Sequence, residues 1–296
     1  MVYTLELLLS TIVLRPYVFV FLAIYLVAAG SQIGLKKGGL FALWAYLVAF
    51  LCEYSSTRNG FPFGYYTYLE ATRGKELWIS NVPLMDSLSF VFLSYISYSL
   101  SLFFTSPLYV SSQDVFLVDT KQIRYSYRTL FLAILLFVWL DIVIDPVALK
   151  GDRWFLGSIY AYPEEGIYFG VPLANFLGWA VVGFLILWPF QRAELRWGER
   201  DGLRPSTRLY FPFSTLLGPL LYYGVVGFNL FMTFWIGEPF QGLVGCLIHG
   251  PIAFLWILQF LKESNRVSRS DLERHLQDFP SSPARSLTQR DSSGSG

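Results

Sequence analysis

Histidine and cysteine are scarce in this chain, and charged residues make up only 15% of it. The two histidines, His249 and His275, are too few for the multi-histidine iron clusters of membrane desaturases and hydroxylases. The two cysteines, Cys52 and Cys246, both fall in apolar runs, so we expect no disulfide framework. These shortages exclude oxygen chemistry at a histidine-held iron centre.

Nucleotide-binding motifs are missing as well. No G-x-G-x-x-G follows a predicted strand and no G-x-x-x-x-G-K-[ST] loop occurs, so neither a dinucleotide nor an ATP site is indicated. No lysine lies in the middle of an apolar run, which excludes a retinal Schiff base of the rhodopsin kind. What remains is acid–base chemistry without a cofactor, a transport or binding role, or a prenyl site with a divalent metal.

Apolar residues, by contrast, make up 54% of the 296 residues, and the mean hydropathy is +0.47. They gather into runs long enough to cross about 30 Å of hydrocarbon, which takes about 20 helical residues. Because backbone amides in lipid must be satisfied internally, such runs become helices. The sequence therefore predicts an all-α integral membrane protein with about seven transmembrane helices, at 16–35, 39–54, 83–104, 128–147, 169–190, 210–235 and 240–261.

The chain divides into three segments. Residues 1–15 are too short to span a membrane and are predicted to form an interfacial segment, with an extension of the first span as the alternative. They lack the basic region and the cleavage site of a signal peptide. Residues 16–261 form the polytopic membrane domain, and residues 262–296 are predicted to be a disordered cytoplasmic tail because they have little to bury. Within the tail, the amphipathic stretch DLERHLQDF is the candidate for local order.

Basic residues are distributed unevenly about these spans. Sixteen of the 22 Lys and Arg residues fall on one side and six on the other. Because Lys and Arg are enriched in cytoplasmic segments, we expect a multi-pass protein of a bacterial or archaeal plasma membrane. Its N-terminus is then outside and its C-terminus cytoplasmic.

Unusual polar residues gather in the half of the membrane away from the basic side. Ionisable groups inside a bilayer are costly and usually face one another or a cavity. Asp141 and Asp145 are four residues apart on one helix face, where two like charges repel unless one is protonated or a cation is near. The sequence therefore predicts a polar pocket at this level, formed by Glu53, Asp86, Asp141, Asp145, Asn175, Asn229 and His249.

Several of these residues also have a purely structural interpretation. Glu53 can pair with Arg58 at the interface, and Asp86 can be a first-turn acid favoured by the helix dipole. His249 can hydrogen-bond a carbonyl that Pro251 leaves free. Aromatic residues can belong to the belt of a membrane interface. On the sequence alone these alternatives stay open.

Four motifs follow one another along the chain: GFPFGYYTY at 60–68, NVPL at 81–84, DPVALKGDRW at 145–154 and GIYFGVPLANFLGW at 166–179. Over about residues 40–260 the chain resembles the membrane carotenoid hydratase family, which includes bisanhydrobacterioruberin hydratases and carotenoid 1',2'-hydratases. The resemblance implies a hydro-lyase that adds water across the terminal double bond of a ψ end group, on an acyclic carotenoid or related polyene. The product is a tertiary alcohol, and no cofactor or metal is implied.

Hydration of an isolated alkene needs an acid that protonates carbon, a site that tolerates a tertiary carbocation, and one oriented water molecule. A carboxyl group that is buried in apolar surroundings, or that shares a site with another, stays protonated near neutral pH. The candidate acids and bases are Glu53, Asp141, Asp145, Asp86 and His249, and the donor is left open between Glu53 and the aspartate pair. Ring faces attract cations, and the candidate substrate-binding residues are Arg58, Phe63, Tyr65, Tyr66, Tyr68, Phe169, Asn175 and Trp179.

Two other functions stay open. The D-x-x-x-D at 141–145 is a candidate Mg²⁺ site of a membrane prenyltransferase, although that class has two acidic motifs and a cytoplasmic site. A non-catalytic carrier or channel for a lipid or pigment would use the acids as a proton relay. The expected partners are the polyene lipid, water and the bilayer, other carotenoid-pathway enzymes remain open, and no nucleic acid is expected.

Overall fold

The computed structural model describes residues 2–111, 113–201, 208–261, 267–280, 282 and 284. Short strands form three antiparallel pairs, β1 (Thr67–Tyr68) with β6 (Tyr160–Ala161), β2 (Trp78–Ile79) with β3 (Val82–Pro83), and β4 (Leu108–Val110) with β5 (Val115–Leu117). The helices of the described part are α1 (Val2–Leu14), α2 (Pro16–Gln32), α3 (Leu35–Asn59), α4 (Leu84–Thr105), α5 (Lys121–Arg124), α6 (Tyr127–Ala148), α7 (Leu173–Asp201), α8 (Leu217–Trp235), α9 (Pro239–Leu261) and α10 (Arg269–Asp278).

Six of the described helices are long and apolar enough to cross a membrane, namely α3, α4, α6, α7, α8 and α9. Helices α1 and α2 meet at a 90° bend and make a seventh candidate span when they are taken together. The predicted all-α membrane fold with about seven spans is therefore confirmed. Helix α1 does not extend α2 in a straight line, because Pro16 has no amide hydrogen with which to continue the hydrogen bonds of α1.

Helix α4 lies at the centre of the bundle and packs against α2, α3, α6 and α8. Its small serine side chains let the neighbouring helices approach closely. The Oγ atoms of Ser94 and Ser97 donate to the carbonyls of Phe90 and Leu93, at 2.6 and 2.8 Å. Because these hydroxyls are satisfied within their own helix, α4 can be buried on nearly all sides.

Helix α3 ends at Asn59 and not at the predicted residue 54, so Glu53 lies inside the helix and not at its end. Gly60 ends the helix with a φ of 78°, a conformation that glycine adopts without strain. The following turn packs against α7, where a Cβ at Gly178 would lie 2.5 to 2.9 Å from atoms of Phe63. Glycine is therefore required at position 178 for this close approach.

One end of the bundle is covered by the loops 60–83 and 149–172, which we call the roof. Strands β1 and β6 join the two loops and pair Tyr68 with Tyr160. Arg15, at the corner between α1 and α2, is fully buried, pairs with Glu76 at 3.1 Å and donates to the carbonyl of Leu156. The corner and both loops are thus tied into one layer.

The opposite end carries a second buried polar group. Arg124 of α5 lies 2.5 Å from Asp119 and 3.3 Å from Glu194 of α7. Helix α10 docks here, with His275 Nδ1 2.5 Å from the carbonyl oxygen of Asp119. Helix α10 contains most of the stretch predicted to interrupt the disordered tail. Most of the rest of that tail, residues 262–266, 281, 283 and 285–296, lies outside the described residues.

Candidate active site

A cavity of about 130 Å³ lies beneath the roof, among residues of α2, α3, α4, α6, α7 and α8. Carboxyl and amide groups line part of it, and aromatic rings line most of the remainder. The structure brings eight of the predicted site residues to this cavity: Glu53, Phe63, Tyr66, Tyr68, Asp86, Asp145, Asn175 and Trp179. Asn229, which was predicted to lie at the same level, lines it too.

The first carboxyl pair comes from α3 and α4. Glu53 is 2% exposed and accepts a hydrogen bond from the hydroxyl of Ser87. Asp86 accepts from the phenol of Tyr68 at 2.5 Å, and the Tyr66 hydroxyl lies 3.4 Å from that of Tyr68. Burial, together with the negative charges of Asp86 and Glu53, raises the pKa of Tyr68 well above its ordinary value. Tyr68 therefore remains a hydrogen-bond donor at neutral pH.

The second carboxyl pair, Asp141 and Asp145, lies on one face of α6. The side-chain amide of Asn175 donates to an oxygen of each, at 2.6 and 2.7 Å. The other oxygen of Asp141 is buried and has no hydrogen-bond partner among the described residues. Because one amide nitrogen holds both groups, the two carboxyl groups lie close together, and a proton shared between them would relieve their repulsion.

Two tyrosines of the roof complete this second pair. Tyr160 and Tyr162 alternate about strand β6, so both rings point to the same face, and they donate to Asp145 at 2.8 and 3.0 Å. Burial and then the charge of Asp145 raise the pKa of both phenols, so each remains a donor. The rings of Tyr160 and Tyr68 pack edge-on with their centroids 6.5 Å apart. The tyrosines that donate to the two carboxyl pairs are therefore neighbours in the roof. Neither Tyr160 nor Tyr162 was predicted as a site residue, although the alternation Y-A-Y at 160–162 was a signal.

No ion pair to a Lys or Arg side chain is formed by Glu53, Asp86, Asp141 or Asp145 in the part of the chain that the structure describes. Arg58 lies over the ring of Tyr54 at 3.3 Å and donates to Asn81 at 2.8 Å. The structural alternative of a Glu53–Arg58 pair is therefore wrong, since the longer α3 carries Arg58 towards the exposed side of the roof. Repulsion within the carboxyl pairs is not offset by a paired cation.

Aromatic rings stand one helical turn beyond the acids. Phe90 follows Asp86 by four residues on α4, and Trp179 follows Asn175 by four on α7, so each ring shares a face with the polar group before it. The rings of Phe90 and Trp179 stack at 4.7 Å, and Phe63 lies 5.8 Å from Phe90. Since ring faces attract cations by about 0.5 to 2 kcal/mol, this wall can stabilise a positive charge that develops beside the acids.

Five predicted site residues do not line the cavity. Asp141 lies behind Asp145 and reaches the site through Asn175. Tyr65 is 59% exposed, and Phe169 packs against Phe240 of α9 at 5.9 Å. The residues that lie away from the cavity are therefore Arg58, Tyr65, Phe169 and His249.

His249 acts as a link between two helices. Its Nε2 atom lies 3.0 Å from the carbonyl oxygen of Trp139 on α6. The partner is thus a carbonyl, as in the structural alternative, but it belongs to the neighbouring helix and not to the turn before Pro251. This contact ties the peripheral helix α9 to α6.

The described residues contain no group of three or more His, Cys, Asp and Glu side chains arranged to hold a metal ion. Within D-x-x-x-D, Asp145 already accepts hydrogen bonds from Tyr160, Tyr162 and Asn175. The acids of this motif are thus engaged with neutral donors from the roof and α7.

The chain is similar to a family of known proteins and to one characterised relative. The family described as "Carotenoid biosynthesis protein" matches residues 5–248. Bisanhydrobacterioruberin hydratase of Haloarcula japonica is 29% identical over 211 residues, which cover 71% of this chain and 62% of that protein. The match thus spans less than two thirds of the relative's length. No solved structure matches the chain. Because the family match covers most of the chain, the protein belongs to the carotenoid biosynthesis protein family.

Proposed function

We propose that the protein adds water to the terminal double bond of a ψ end group on an acyclic carotenoid, giving a tertiary alcohol. One observation carries the proposal: Glu53, Asp86 and Asp145 line one aromatic cavity, with Asp141 held behind Asp145, and none of the four is paired with a cation among the described residues. The family membership and the hydratase named among the relatives support it. The finer assignment, a hydro-lyase of the carotenoid 1,2-hydratase type, is part of this proposal.

Asp145 is the proton donor in this mechanism. It lines the cavity, and Asp141 behind it offers a second carboxylate with which to share a proton. Asp145 transfers that proton to the less substituted carbon of the double bond. The electron pair of the double bond forms the new C–H bond and leaves a tertiary carbocation, which the rings of Phe90 and Trp179 stabilise.

The other carboxyl pair receives the second proton. Water attacks the carbocation, and its oxygen forms the C–O bond as its proton passes to Asp86 or Glu53. A proton then returns from that pair to Asp145 by way of water in the cavity, with Tyr68 donating to Asp86 on one side and Tyr160 donating to Asp145 on the other. The net reaction adds one water molecule to the double bond. It needs no oxidant, and the protein returns to its starting protonation state.

We further propose that the cavity end of the bundle faces outward and the α5 end faces the cytoplasm. The uneven distribution of Lys and Arg supports this orientation. The substrate is then a lipid of the bilayer, and the water comes from the outer surface through the roof.

Expression in a host that accumulates an acyclic carotenoid with ψ ends tests the function. We expect the mass of the pigment to rise by one or two waters, measured by mass spectrometry, and the product to carry a tertiary hydroxyl group. An unchanged pigment, in cells that contain folded protein in the membrane, would contradict the proposal.

A further inference from the structure

The cavity is much too small for a whole carotenoid. Its volume of about 130 Å³ is close to the roughly 150 Å³ of a protein cavity that binds a single benzene molecule. It therefore has room for about one six-carbon end group. If the proposed function is correct, the remaining polyene must leave the cavity through one of its walls, and this inference rests on that function.

The wall between α2 and α8 is made of aromatic rings that run from the surface to the cavity. We call this wall the aromatic seam: Tyr17 and Phe21 of α2, Phe228 of α8 and Phe155 of the roof. The ring of Tyr17 stacks on Phe228 at 5.5 Å, and Phe21 meets Phe228 edge-on at 5.9 Å. Phe155 is 55% exposed and lies 5.7 Å from Tyr17.

The inner end of the seam opens on the cavity. Tyr17, Phe21 and Phe228 all line the cavity, and Phe21 lies 5.7 Å from the buried ring of Phe92. Rings thus follow one another from exposed Phe155 to Phe92, which is 3% exposed. A conjugated chain can lie against such rings along its whole path, since offset and edge contacts between π systems are favourable.

Polar contacts hold the other walls more firmly. The roof is tied down by the buried Arg15–Glu76 pair, and α6 is joined to α7 through Asn175. On the α3–α7 side, Gly178 and Phe63 leave no space. Between α2 and α8, however, no hydrogen bond or ion pair is formed in the described part of the chain, so the rings can separate without breaking one.

We propose that the aromatic seam is the lateral passage through which the polyene of the substrate extends from the cavity into the bilayer. The end group occupies the cavity, the seam holds the conjugated chain, and the far end stays in the lipid. Phe228 is then a specificity-determining residue, because its ring sets the width of the passage, and it takes no part in proton transfer.

The test compares two substitutions on the same helix, Phe228→Trp and Phe231→Trp. Phe231 is 59% exposed, its ring lies 5.9 Å from that of Trp235, and it makes no ring contact with the seam in the described part of the chain. Each full-length variant is purified from a host that accumulates lycopene, and the polyene that remains bound is measured by absorbance. This readout does not depend on turnover. If wild type retains lycopene that has not been hydrated, the proposed hydration is contradicted, but the proposed passage is not.

We expect Phe228→Trp to narrow the passage and to lower the retained polyene at least tenfold, while Phe231→Trp retains as much as wild type. In assays of hydration, Phe228→Trp should raise KM for the polyene about tenfold and leave kcat within twofold. Phe228→Ala, which widens the passage, should keep its polyene. Equal retention by Phe228→Trp and wild type would overturn the proposal, and so would a fall in kcat at unchanged KM, which would give Phe228 a role in the chemistry.

Discussion

Buried acids at the two ends of the bundle differ in what surrounds them. At the α5 end, Arg124 lies between Asp119 and Glu194, and all three side chains are nearly inaccessible. At the roof end, Asp86 and Asp145 accept hydrogen bonds only from tyrosines and an amide among the described residues. The charges of Asp119 and Glu194 are compensated by the cation of Arg124, whereas Asp86 and Asp145 have only neutral hydrogen-bond donors.

This difference separates a structural role from a chemical one. A buried ion pair is held by its own attraction, and removing one partner leaves an uncompensated charge that destabilises the fold. Carboxyl groups that are buried together without a cation do not serve stability in this way, and such arrangements are typical of functional sites. We therefore propose that the Arg124 group at the α5 end, like the Arg15–Glu76 pair in the roof, serves the fold, and that the cavity acids beneath the roof serve catalysis.

The largest expected effect is on activity, in Asp145→Asn. The amide cannot supply the proton, so we expect hydration to fall by about 10² to 10⁴-fold, the usual contribution of a general acid. Asp152→Asn, at an exposed position of the roof close by, should keep wild-type turnover. Rates are measured by chromatography of the pigments. A rate near wild type in Asp145→Asn would contradict Asp145 as the proton donor and would favour Glu53 in that role.

The largest expected effect on stability is at the other end, in Arg124→Met. Asp119 and Glu194 would then be buried without their cation, which costs about 3 to 5 kcal/mol. In Arg73→Met, the exposed pair with Glu70 is lost, and exposed pairs contribute only about 0 to 1 kcal/mol. Unfolding in detergent, followed by circular dichroism, compares the two. Equal stability of both variants would contradict the structural role that we assign to the buried Arg124 group.

A smaller effect is expected for Asn175→Ala. The two aspartates lose their shared donor, and a buried group left without its hydrogen bond costs about 1 to 3 kcal/mol, or roughly fivefold to 150-fold in rate. Asn59→Ala, at an exposed position at the end of α3, is the matched control. If Asn175→Ala kept the wild-type kcat, the pairing of the two aspartates would have no part in the chemistry.

A still smaller effect is expected for Tyr162→Phe. Asp145 keeps its bonds to Tyr160 and Asn175, so the loss of one neutral donor should slow hydration about threefold to tenfold, since such a bond contributes about 0.5 to 1.5 kcal/mol. Tyr65→Phe, on the exposed side of the roof, should have no effect. An unchanged rate in Tyr162→Phe would show that Tyr162 does not support the chemistry of Asp145, and that role would then fall to Tyr160 alone.

Removal of divalent metal should have no effect at all. We expect purified protein to keep its full hydration rate in EDTA, without any allylic diphosphate. Loss of activity in EDTA, with recovery on adding Mg²⁺, would instead favour the prenyltransferase interpretation of D-x-x-x-D.

Much of the fold could be predicted because lipid imposes simple rules on a sequence. Apolar runs gave the spans, and the spacing of Asp141 and Asp145 placed both carboxyl groups on one face of α6. The predicted end of α3 was wrong, since the polar residues 55–59 continue the helix and Arg58 contacts the roof through Asn81. Polarity marks the end of an apolar run, but a helix ends where its hydrogen bonds do, here at Gly60.

The partners of the acids were harder to predict, because they depend on contacts between distant segments. Tyr160 reaches Asp145 only because β6 pairs with β1, which is more than 90 residues earlier in the chain. Arg58 is close to Glu53 in sequence, yet its guanidinium lies over Tyr54. Distance along the chain is therefore a poor guide to the partners of these acids. The conformation of the roof loops determines which side chains come into contact.

Hydration in heavy water most directly tests the claim that the roof-end acids supply the proton. Purified wild type and Asp145→Asn are each given an acyclic carotenoid in D₂O, and the products are analysed by mass spectrometry. We expect wild type to form a tertiary alcohol with one deuterium on the carbon next to the carbinol, and Asp145→Asn to form almost none. A wild-type protein that makes no alcohol, or an Asp145→Asn variant that makes it at the wild-type rate, would contradict the proposed role of Asp145.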